Sequence, residues 1–183
     1  IEISKAYLSR IGDIDPALGA VLALSPRAVD EARASDARRE NGTARSAFDG
    51  IPILVKDNID IAGIATTAGS LALLANVPVR NAPLVDRLMG AGAVVLGKAN
   101  LSEWANIRGD KSISGWSAVG GLARNPYVLD RSACGSSSGS AVAVAANLAA
   151  AAIGTETDGS ITCPAAMNGL VGLKPTVGLV SRT

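Results

Sequence analysis

The sequence predicts a layered α/β domain. Three observations carry that expectation: a short apolar run ending in polar residues (Gly50 to Asn58), a helix-turn-strand unit after it over residues 82–96, and a stretch of almost wholly small residues from Ser140 to Ala152. A buried strand, a covering helix and a second strand in that order are the working unit of layered α/β folds. Of the 183 residues 48% are apolar but only 3% aromatic, and 20 are glycine, so the core must pack by close approach of backbones. A chain of this length buries one genuine core.

Taken in order, residues 4–14 carry apolar groups at helical spacing and predict a short amphipathic helix. A brief strand is expected over Val21 to Leu24. The next helix is punctuated at both ends: Ser25 can cap it, Pro26 fits its first turn, and Asn41-Gly42 stops it. Its Arg-, Glu- and Asp-rich middle reads as a solvated face. The run from Ile51 to Val55 then changes period and delivers Lys56, Asp57 and Asn58 at the end of a buried strand. A loop over Gly63 to Ser70, a helix over Ala82 to Met89, a break at Gly90 and Gly92, and a strand over Ala93 to Leu96 complete the α/β unit. Asn100 is placed to cap another helix, with Glu103 reaching back as the partner in a capping box. Gly109 to Asn125 is expected to be irregular and pinned by the rest of the domain. The alanines between Ser140 and Ala152 predict an internal helix, polar on no face, whose first amides point at the Gly135 to Gly139 turn. Val171 to Thr183 reads as short strands and turns around Lys174-Pro175-Thr176.

Several function classes are excluded or disfavoured at this level. Net charge is +1, 18% of residues are charged, and no run of Lys or Arg provides the footprint of a nucleic-acid binder. No apolar window approaches the roughly 18 residues of a membrane span. No positively charged leader precedes an apolar segment, which leans the expected location toward the cytoplasm while leaving the compartment open. Residues 1–183 hold no histidine, which removes Ser-His-Asp and Cys-His chemistry and the usual His-containing zinc patterns unless a histidine from outside these residues joins them. Cys134 and Cys163 are too few for a disulfide scaffold. They are expected as reduced packing residues, with a bridge between them as the alternative.

Two turns bear serines, and Ser160 follows Ser136 by 24 residues. Serine turns at the two ends of one tightly packed element can be brought together, and a buried lysine can supply the base they need. Ser136, Ser137 and Ser138 also admit a flexible linker or a phosphate-cradling helix start. Against the second, neither G-x-x-x-x-G-K-[ST] nor G-x-G-x-x-G is present. Thr157-Asp158-Gly159-Ser160 can aim several N–H groups at one point, as an oxyanion hole requires, or be an ordinary Asp-Gly turn. Lys56 must lose its proton to act as a base. Its ordinary pKa is about 10.4, and burial behind Ile51 to Val55 is what would lower it. A surface-loop lysine is the plain alternative.

Together the three segments resemble the amidase signature family of Ser-cisSer-Lys hydrolases. The lysine motif is G-I-P-I-L-V-K-D-N, the first serine motif C-G-S-S-S-G-S and the nucleophile motif G-T-E-T-D-G-S-I. The resemblance implies an α/β fold with a mixed β-sheet core covered by helices on both faces. It implies an amidase that hydrolyses carboxamide bonds through an acyl-serine, with neither cofactor nor metal. By position, Ser160 is the nucleophile, Ser136 the relay behind a cis peptide bond, and Lys56 the base. The backbone N–H groups of Thr157, Asp158, Gly159 and Ser160 are the oxyanion donors.

The sequence departs from the usual family wording in both turns. Cys134 and Ser138 stand where glycines are usual, Asp158 replaces a glycine and Thr162 an arginine. These changes agree with the branch that removes C-terminal amides from peptides, and count against members that bind acids through the arginine. The expected partner is therefore a small-molecule or peptide amide. Family members run well beyond this length, which implies that residues 1–183 are the N-terminal part of a single amidase domain and that a C-terminal half is a further partner. Two other functions stay open: an amidotransferase-type subunit or non-catalytic assembly module, and an anion- or phosphate-binding module.

Overall fold

The computed structural model describes residues 1–181. The chain opens with helix α1 (Glu2–Leu18), strand β1 (Val21–Leu24) and helix α2 (Ala28–Glu40). The α/β unit follows as β2 (Pro52–Lys56), α3 (Pro83–Gly90) and β3 (Val94–Ala99). A two-residue hairpin pairs β4 (Trp116–Ser117) with β5 (Gly121–Leu122). The serine segment supplies α4 (Ser138–Ala145), β6 (Ala151–Ile153) and α5 (Thr162–Met167).

One four-stranded sheet, in the order β1-β3-β2-β6, organises the molecule. β2 runs parallel to both β3 and β6, while β1 closes one edge antiparallel to β3, so the sheet is mixed. Every residue of β2 and β3 is buried. That is why β2 reads as a continuous apolar run and not as an alternating one. The two faces nonetheless belong to different cores. Leu54, Val94 and Leu96 pack with residues of α1, α2 and α4, whereas Ile53, Val55 and Val95 pack with Val85 and its neighbours on α3. Alternation along β2 therefore sends Lys56 to the α4 side, with Leu54.

Close packing replaces aromatic bulk, as the composition requires. A Cβ on Gly139 would stand 2.3 Å from the Ala20 carbonyl oxygen and 2.6 Å from backbone atoms of Asn100. One on Gly97 would stand 2.1 Å from the Ala23 carbonyl oxygen. Both glycines are required by proximity of backbone to backbone.

Several expectations are corrected. The small-residue stretch is not one helix to Ala152: α4 ends at Ala145, and the chain returns as strand β6. Asn147 adopts φ +59. Its N–H donates to the Val144 carbonyl at 3.0 Å and the Leu148 N–H to the Ala143 carbonyl at 2.7 Å, the pattern of a Schellman stop. Alanine's helix propensity yields to the place waiting for β6 beside β2. Asn100 caps no helix. Fully buried, it accepts from the Leu101 N–H and the Ser117 hydroxyl and donates to the Gly19 carbonyl, each at 2.8 Å. Only a short 3-10 turn, Glu103–Asn106, follows, and Glu103 pairs with Arg108 and the Ala118 N–H. Cys134 and Cys163 are bridged. The tail from Val171 to Ser181 forms no strand among the described residues. Val171 is 100% exposed. The rest of that expectation, at Arg182 and Thr183, lies outside the described residues. No helix among the described residues is long and apolar enough to cross a membrane.

Candidate active site

β2 delivers Lys56 at the carboxyl end of a buried strand, between β3 and β6. Lys56 is 0% exposed. Its Nζ donates to Ser136 Oγ at 2.7 Å, to Thr155 Oγ1 at 2.8 Å and to the Thr155 carbonyl at 3.2 Å. Burial lowers its pKa to about 7, against the attraction of Glu156, which favours the ammonium. An apolar strand thus turns an ordinary lysine into a base titrating near neutrality.

Ser136 lies just before α4, behind a cis Gly135–Ser136 peptide bond, and is fully buried. Its carbonyl accepts from the Ser102 N–H at 3.0 Å. The neighbouring Ser137 ties the two serine turns together. Its N–H donates to the Ser160 carbonyl at 3.1 Å. Its hydroxyl donates to the Thr155 carbonyl at 3.1 Å and accepts from the Thr155 N–H at 3.2 Å. Ser140 adds a bond from its hydroxyl to the Ile153 carbonyl at 3.0 Å. The Cys134–Cys163 bridge closes the same junction from the other side, two residues before Ser136 and three after Ser160.

Lys56 and Ser136 are therefore in direct contact, and Ser160 joins them through its backbone. No hydrogen bond links the Ser160 hydroxyl to Ser136 among the described residues; contacts of this kind often tighten only when substrate is present. The N–H groups of Thr157, Asp158 and Ser160 carry no partner among the described residues. That of Gly159 is turned toward the Glu156 carboxylate, which also accepts from Ile161 and Thr162 at 2.6 and 2.8 Å. Burial works against charge on Glu156, yet the Thr162, Ile161 and Gly159 N–H groups hold its pKa below the ordinary carboxylate value.

Three residues of this constellation were not expected from sequence: Thr155, Glu156 and Asn58, whose Nδ2 donates to Thr155 Oγ1 at 2.9 Å. All three lie inside the motif segments, but only the fold reveals what they touch. Among the described residues no group of three His, Cys, Asp or Glu side chains is placed to hold a metal.

The family profile described as Amidase matches residues 2–183. The structure superimposes on peptide amidase from Stenotrophomonas maltophilia with a TM-score of 0.96 and 64% identity, over 99% of this chain and 38% of that one. An amidase family protein from Bacillus anthracis gives a TM-score of 0.86 and 43% identity, over 90% of this chain and 34% of that one. A glutamyl-tRNA(Gln) amidotransferase subunit from Symbiobacterium thermophilum is 47% identical over 100% of this chain and 37% of its own length. The chain spans little more than a third of each of these relatives.

Proposed function

The chain belongs to the amidase family, and from that premise we propose that it carries the catalytic centre of a serine amidohydrolase acting on carboxamides. The single observation that supports this most is the buried Lys56 amine, titrating near neutrality, 2.7 Å from the Ser136 hydroxyl. Neutral Lys56 accepts the Ser136 proton as Ser136 accepts that of Ser160. The freed Ser160 oxygen attacks the amide carbon, and the carbonyl π pair moves onto oxygen. The amides of Thr157, Asp158 and Ser160 receive that charge, with Gly159 contributing if its N–H leaves Glu156. One such donor typically lowers a barrier by about 3 kcal/mol. Collapse expels ammonia, protonated back through the same relay, and water then hydrolyses the acyl-serine.

The 64% identity to a peptide amidase supports C-terminal amides of peptides as the substrate. Thr162, in the place of an arginine, supports the same choice over carboxylate-bearing substrates. The 47% identity to an amidotransferase subunit favours a second reading, in which the ammonia passes to a partner protein. A bridge between Cys134 and Cys163 supports an oxidising compartment over the cytoplasm.

The test is labelling with a fluorophosphonate and peptide mapping. Adduct should form on Ser160, vanish in Ser160→Ala, and form orders of magnitude more slowly in Lys56→Ala while the circular dichroism spectrum is unchanged. Labelling of a folded Lys56→Ala protein at the parent's rate would rule the relay out.

A further inference from the structure

We infer that Thr155 is a positioning residue for this reaction: it takes two protons of the Lys56 amine and so aims the remaining lone pair at the Ser136 hydroxyl. The inference rests on reading Lys56 as the base.

Lys56 Nζ has three polar neighbours, and two of them belong to one residue. They are Ser136 Oγ at 2.7 Å, Thr155 Oγ1 at 2.8 Å and the Thr155 carbonyl at 3.2 Å. A neutral amine has two N–H groups and one lone pair. A carbonyl can only accept, so the Thr155 carbonyl takes one N–H. When Oγ1 takes the other, the lone pair has Ser136 as its one remaining neighbour. Were the Thr155 hydroxyl instead to donate, it would occupy the lone pair and silence the base. The same arrangement also serves the product of proton transfer. The ammonium has three N–H groups and finds three acceptors already in place, so the proton crosses without rearrangement.

Thr155 is itself firmly held. It follows β6, whose register sets Ile153 against Val55, so the next residues of both strands meet at the sheet's end. Ser137 grips its N–H and its carbonyl, and Asn58 Nδ2 donates to Oγ1 at 2.9 Å from beyond Lys56. The charged group acting on Lys56 is Glu156, on the loop after β6. Asp57 and Lys98, on the opposite face of the sheet, are paired with each other at 3.1 Å.

The experiment compares the parent protein with Thr155→Val, Thr155→Ser and Asn58→Ala. Two quantities are measured against pH: the Lys56 titration, by carbon NMR of its ε-methylene, and the rate of Ser160 labelling by a fluorophosphonate. Thr155→Val removes only the hydroxyl acceptor. The Lys56 midpoint should fall by roughly one pH unit, because the ammonium depends on that bond more than the amine does. Labelling at the pH plateau should slow roughly ten- to hundredfold. Thr155→Ser should restore both, and Asn58→Ala should shift both in the same direction by less. A Thr155→Val protein with neither quantity changed, or a Thr155→Ser protein no better than it, overturns the inference. If Thr155→Val does not fold, Asn58→Ala at its exposed position decides, and identity with the parent overturns it. Ser160→Ala separates the two levels. Label persisting there sinks the reading of the site, while the Lys56 titration still reports on Thr155.

Discussion

At the scale of single residues the centre is governed by one lysine and what surrounds it. Burial sets the Lys56 pKa to about 7, so the amine is a competent base above that pH and a spent ammonium below it. For an amide substrate, kcat/KM should therefore rise as pH climbs through about 7 and then level off. Glu156 opposes burial by favouring the ammonium. Glu156→Gln removes that attraction, and its acid limb should move to lower pH. A pair of steady-state pH profiles checks this, and a limb that stays or moves upward would show that the Glu156 charge does not reach the amine. Lys56 is legible in the sequence because an apolar strand leads into it. Thr155 and Glu156 are not. Thr155 acts through a hydroxyl and a carbonyl that both meet Lys56, and Glu156 through a carboxylate held by N–H groups of a folded turn, and neither leaves a mark in residue spacing.

At the scale of elements, the site is a junction between two serine turns, held by Ser137 and Ser140 within and by the Cys134–Cys163 bridge outside. The turns and their order can be read from the sequence, but not the element between them. Propensity alone extends the alanine run as helix, whereas Asn147 in the left-handed region ends it and an open position beside β2 takes Ala151–Ile153 as strand. The bridge is only an alternative at the level of sequence for a related reason. Nothing in a 29-residue separation says that the two cysteines meet until α4 and β6 fold the segment back on itself. Closing a loop of that length should stabilise the fold by about 3 to 4 kcal/mol, chiefly by restricting the unfolded chain. A double Cys134→Ser, Cys163→Ser variant should lose about that much in urea unfolding, yet still label at Ser160, because the Ser137 bonds remain. Unfolding identical to the parent's would mean that those bonds alone hold the turns together.

Across the whole molecule, the layered α/β architecture follows from the sequence because β2, α3 and β3 announce themselves by period and punctuation. What it could not announce was a second buried lysine. Lys98 is 0% exposed, and a register shift between β2 and β3 pairs Leu54 with Gly97 and Val55 with Lys98, so Lys98 stands with Val55 on the face of the sheet opposite Lys56. Its Nζ lies 3.1 Å from Asp57 Oδ1 and donates at 2.8 Å to the Ile59 carbonyl and to Thr66 Oγ1. Asp57 in turn accepts from the N–H and hydroxyl of Thr67. One ion pair thus anchors the loop after β2 beneath the strand end that carries the base. Burial lowers the Lys98 pKa, and the neighbouring Asp57 opposes it, so each charge is tolerated only because of the other. Breaking such a pair from one side leaves an uncompensated buried charge, at a cost of about 3 to 5 kcal/mol. Lys98→Met should show that loss in urea unfolding. Adding Asp57→Asn should recover a large part of it, since asparagine removes the stranded charge and still accepts from Thr67. A double variant no more stable than Lys98→Met would show that the lysine supports the sheet by its packed stem and its bonds to Ile59 and Thr66, and not by its charge.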